Sequence, residues 1–146
     1  MEHNIIPMEH NIIPMLIIGI ISGLLTTMNI WIDKLDDIRF SINDLYMSSL
    51  MTGWMFLLYG IYHKISNNIV LGFILVASSF LAIRNQLFVD KYAFVGGMIP
   101  HHSMAIFMSK KLKETNDDID LNNFLNGIIT TQENEIKLMK SMNFVY

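Results

Sequence analysis

The chain of 146 residues contains no cysteine. Disulfides, thiolate metal sites and thiol catalysis are therefore excluded, and the redox compartment is left open. Charge is also scarce. Only 16% of residues are Asp, Glu, Lys or Arg, against about a quarter in soluble domains. The net charge is −3 and no basic stripe is present, so nucleic acid is not expected as a partner. Arginine and proline are sparse beside Ile, Asn and Lys, a bias of AT-rich genomes that says nothing of mechanism. No Ser-His-Asp arrangement, glycine-rich phosphate loop or paired-carboxylate motif occurs, so a hydrolase or nucleotide enzyme has no support.

What the chain does have is hydrophobic residues, 52% of the total, including twelve methionines. They gather in long runs. Residues 15–32 and 45–62 are each uncharged over about 18 positions, near the length that crosses a hydrocarbon core. A third run lies within residues 69–89, with its apolar part ending at Ile83 and Arg84 placed to snorkel. Trp31, Tyr46 and Tyr62 stand where aromatic anchors suit a membrane interface. A soluble bundle would keep a charged face on each helix. The reading is an all-α chain: three transmembrane helices followed by a short helical hairpin. Small residues recur at spacing four (Gly19 and Gly23, Ser49 and Gly53, Ser78 and Ala82), which lets helices approach closely within one chain or in a homo-oligomer.

Three regions follow. Residues 1–14 are a flexible start in which MEHNIIP occurs twice, so that Met8 or Met15 are alternative starts to Met1, and its Glu-His pairs at 2–3 and 9–10 are exposed. Residues 15–89 form the membrane region and residues 90–146 the hairpin. Asp33, Asp36 and Asp37 read as a solvated loop, and His63 as facing water at a boundary. Met47, Met51 and Met55 read as a packing ladder rather than a metal path. Lys34 and Arg39 place the first connection and the tail on the inner side of a membrane. Pro100 either opens a helix or kinks a longer one. Asp120 is the expected N-cap of the last helix.

The chemistry concentrates at Met98-Ile99-Pro100-His101-His102. Adjacent histidines on a helix point about 100° apart and do not chelate one ion unaided. Met98, Met104 and Met108 lie within helical reach. On the last helix Gln132, Glu135 and Met139 share a face. Imidazole with thioether suits copper, above all Cu(I), rather than magnesium or calcium. Histidines that cap a helix, with methionines in a core, explain the same pattern.

The run MIPHHSMAI, followed by Met108 and then by Gln132, Glu135, Ile136 and Met139, resembles the domain-of-unknown-function 305 family. Upstream, Arg84, Gln86, Val89 and Asp90 stand in the register of its membrane-embedded branch, and Phe40-Ser41 with Tyr46-Met47 is similar to that branch's first connection. The likeness covers roughly residues 15–142. It implies ferritin-like, four-helix-bundle character and copper binding through His101, His102, Met98 and Met108, joined by Glu135 and Met139 of the facing helix. Asp90 and Gln132 would then support those ligands. The soluble members carry the domain outside the cytoplasm, which conflicts with the inward tail that the charges favour.

The expectation is a multi-pass membrane protein, of viral or bacterial membranes, whose hairpin binds copper without turnover. A structural or assembly protein without metal is the main alternative. A ferritin-like redox enzyme ranks last, because its carboxylates and Glu-x-x-His pairs are missing.

Overall fold

The computed structural model describes residues 12–142. Five α-helices and two 3₁₀ turns make up this part, with no strand among the described residues. In order they are α1 (Ile12–Leu25), turns at Met28–Trp31 and Leu35–Asp37, α2 (Ile42–His63), α3 (Ser66–Asn85), α4 (Lys91–Lys113) and α5 (Ile119–Ser141). Helix α1 is described from Ile12, inside the second copy of the repeat, and includes Pro14. Residues 1–11, with both Glu-His pairs, lie outside the described residues.

The helix ends follow local chemistry. A capping box opens α2: the Ser41 N–H donates to Asp44 Oδ2 at 2.8 Å, and the Ser41 side chain accepts from the Asp44 backbone. Lys64 and Gln86 adopt left-handed conformations, with φ of 56° and 48°, and end α2 and α3. Phe88 is left-handed as well, at φ 56°. The third apolar helix and the histidine helix are therefore separate. Asp90 starts α4 afresh by accepting from the Ala93 N–H. Asp118, not Asp120, caps α5, accepting from the Leu121 N–H at 2.9 Å.

Helix α2 lies between α1 and α3 and packs on both. The contacts are made by small residues. A Cβ added at Gly19 would lie 2.7 Å from Thr52 Cγ2, and one at Gly23 2.6 Å from Ser48 Cβ. At Gly53 and Gly60 it would meet the backbone nitrogens of Val76 and Ile69, at 2.8 and 2.7 Å. The expected close approach of glycine-bearing helices is thus realised within the chain. Ser48 and Thr52 are buried, and their hydroxyls donate back to the carbonyls of Asp44 and Ser48.

Two segments, Ile12–Trp31 and Ser66–Asn85, are long and apolar enough to cross a membrane, rather than the three expected. Helix α2 has the length, 22 residues. Its serines, Thr52, glycines and tyrosines dilute its hydropathy, because this helix uses small and polar residues to contact both neighbours. Met47, Met51 and Met55 do not form a packed ladder; all three are exposed.

Helices α4 and α5 run antiparallel. Val95, Ile99, Ile106, Ile136 and Met139 form their shared core, with Met98, Ile129 and Met142 against it. Pro100 sits inside α4 and is buried. The connection between α1 and α2 docks on this hairpin, Trp31 meeting Phe107 edge-on at 6.5 Å between ring centroids.

Candidate metal site in the helical hairpin

His102 faces α5, and its Nδ1 lies 3.0 Å from Glu135 Oε2. The His102 side chain is largely buried and Glu135 is nearly half exposed. The approach is not aligned for N–H donation, so Nδ1 is a buried nitrogen without a hydrogen bond. Burial pushes the His102 imidazole below its ordinary 6.5, the Glu135 charge pulls it back up, and His101 pushes it down again. A neutral imidazole beside a carboxylate can accept a proton or a cation between them.

The remaining expected ligands divide. Met98 is half-buried against the hairpin core, one turn before His102. Met139 is inside that core, one turn after Glu135. His101 is exposed, its ring centroid 5.9 Å from that of His102. Met108 is 54% exposed. Asp90 serves as the α4 N-cap. Gln132 is half-buried on α5. Among the described residues no three His, Asp or Glu side chains converge as a metal-binding group. One hairpin thus offers an imidazole, a carboxylate and neighbouring thioethers, which suits a soft ion in donor type but falls short of a closed set.

A second polar cluster was missed by sequence reasoning, which took Asp33, Asp36 and Asp37 for a solvated loop. Only Asp36 fits that description. Asp37 is buried, with Oδ1 2.7 Å from Lys140 Nζ and Oδ2 accepting from the Ser103 hydroxyl at 2.6 Å. Ser103 Oγ also accepts from the Asp33 N–H at 2.8 Å, and Lys110 Nζ lies 2.8 Å from the Asp33 carboxylate. Lys140 bonds Asp36 too. This attraction holds Asp36 below its usual range. Burial works against the Lys140 cation, but its hydrogen bonds to Asp36 and Asp37 and their charges raise it overall. Asp33, Asp36, Asp37 and Lys140 line a cleft of ≈ 160 Å³. The available signal was three acids in one connection of a charge-poor chain, with lysines waiting on α4 and α5.

The family profile described as "Domain of unknown function (DUF305)" matches residues 86–143, the span of the hairpin. An uncharacterized protein of Acanthamoeba polyphaga mimivirus is 38% identical over 133 residues, covering 88% of each chain. No solved structure matches. Profile and relative together place the chain in a family: it belongs to the DUF305 family.

Proposed function

We propose that this protein is embedded in a membrane through its first three helices and presents the hairpin at one surface, where His102 and Glu135 bind a soft metal ion, copper by donor type. The carrying observation is the inverted burial of the first three helices. Their buried positions are mainly small or polar: Gly19, Gly23, Ser48, Thr52, Gly72 and Ser79. Phe56 apart, their large apolar side chains mostly face outward, as with Ile18 (61% exposed), Leu58 (61%), Phe73 (64%) and Leu81 (57%). Water would penalise such a surface far beyond the few hundred Å² that soluble monomers expose. Lipid makes it favourable, because there helices associate through close backbone approach and not through the hydrophobic effect. The connection and the hairpin touch each other, which supports placing both on one side of the membrane.

Metal binding is supported by the buried, unbonded His102 Nδ1 facing a carboxylate, with Met98 and Met139 one turn away on their helices. Bound copper would give the hairpin a storage or transfer role without turnover. The test uses the full chain in membranes and detergent. Resistance to alkaline extraction is expected; release into the alkaline supernatant sinks the membrane half. Titration with Cu(I) or Ag(I) should show binding that falls at least tenfold in His102→Ala. Equal binding in that variant sinks the metal half. A metal-free structural role in a viral membrane is the second reading, favoured by the viral origin of the relative.

A further inference from the structure

The face of the hairpin turned away from the connection carries two mainly apolar seams. On α4, Phe94, Met98, His101, Ala105, Met108 and Leu112 alternate at spacings of four and three. On α5, Phe124, Ile128, Thr131, Glu135 and Leu138 do the same. This is the heptad spacing of helices that pack knobs into holes. Both seams lie on one side. Ser103, Lys110 and Lys140 face the connection, whereas the His102–Glu135 contact marks the opposite side. The seams are open: Phe94 and Met108 are each 54% exposed, Phe124 65% and Leu138 60%.

We propose that two copies of this chain pair through this face, their hairpins completing a four-helix bundle about a two-fold axis parallel to the helices. Donor–acceptor complementarity selects the occupant and the axis. Each seam holds one ionisable residue, His101 on α4 and Glu135 on α5, brought to one level by the His102–Glu135 contact. With the axis along the helices, α4 faces the second copy's α5, and each His101 meets the partner subunit's Glu135. A perpendicular axis would set histidine against histidine and carboxylate against carboxylate. The open face is also of adequate size. A large side chain left half exposed hides roughly 100 Å² when covered, so the seams offer roughly 600 Å² per copy, approaching the ~800 Å² per partner of a stable interface. A two-fold interface requires one patch that complements itself, and a hairpin bearing both seams is such a patch. The pairing stands on the hairpin alone and holds whether or not metal binds.

Two measurements on the full chain in detergent test this. Analytical ultracentrifugation should show a dimer, and Phe124→Glu should weaken it by about 30-fold or more with helicity unchanged. Asn123→Glu, on an exposed position outside the seams, should leave it intact. The absence of cysteine allows oxidative cross-linking of mixed chains, one carrying Ala105→Cys and the other Thr131→Cys. A disulfide-linked pair is expected from that mixture and not from Asn123→Cys with Thr131→Cys. If Phe124→Glu loses its helices, the cross-linking decides. A monomer at every concentration, a dimer indifferent to Phe124→Glu, equal cross-linking in both mixtures, or quenching of a Thr131→Cys label by brominated lipid would each overturn the proposal, the last by showing that lipid covers the face.

Discussion

Asp37, in the connection between α1 and α2, is joined to Lys140, in the last turn of α5, by an ion pair of 2.7 Å. The other carboxylate oxygen of Asp37 is held by Ser103 of α4. One buried side chain therefore ties a segment from the first part of the chain to both helices of the hairpin. The Trp31–Phe107 contact, the Asp33 bonds to Ser103 and Lys110, and the chain itself through Gln86 and Phe88 complete the link between hairpin and three-helix layer.

Removing this tie should loosen the hairpin. Asp37→Ala leaves the Ser103 hydroxyl without its acceptor and Lys140 with Asp36 alone. A loss of about 2–3 kcal/mol is expected in denaturant unfolding. Asp36→Asn should change little, because Asp36 is exposed and its partner keeps Asp37. Equal effects of the two variants would count against the role of burial.

Acid should act on the hairpin through His102. Its folded pKa lies below 6.5 because burial disfavours the imidazolium, so the unfolded chain takes up the proton first as pH falls. The stability linked to His102 is complete above about pH 6.5. It declines from there down to the folded pKa and is constant below. Unfolding followed between pH 7.5 and 5 should show this slope, and His102→Gln should remove it. Glu135→Gln should lower the His102 pKa further in an NMR titration, because it deletes the charge that pulls it up.

Glycine substitutions should separate packed from open positions. Gly53→Ala and Gly60→Ala bring a methyl group onto the backbone of α3 and should cost about 1–3 kcal/mol by separating the helices. Gly127→Ala meets nothing within 4 Å and should stabilise α5 by about 0.5–1 kcal/mol through backbone entropy. Thermal unfolding in detergent, read by circular dichroism, checks the signs.

Much of the architecture was legible in the residues themselves. Apolar runs at about residues 15–32 and 69–83 mark α1 and α3, and the 3.6-residue periodicity marks α5. Paired small residues at spacing four announced the close approach of Gly19 to α2 and of Gly53 to α3. The third expected span was harder to judge, because a helix packed on two sides needs small and polar side chains that hydropathy counts against it. The candidate site was legible in part. His102 and Glu135 do meet, as an antiparallel hairpin of their two motifs requires. Met108 and His101 point outward instead, because positions on a helix separate by 100° per residue and only one face reaches α5.

By itself the sequence determined the helical class, the apolar segments, the family motif and the exclusion of thiol chemistry, since each depends on residue types and their local spacing. Tertiary structure alone decided that the polar connection folds onto the hairpin, that Asp37 is buried while its neighbour Asp36 is not, and that both heptad seams open on the same face. The reason is physical. Periodicity acts between residues one turn apart, whereas the burial of a carboxylate depends on partners such as Ser103, 66 positions along the chain, whose arrival no local pattern encodes.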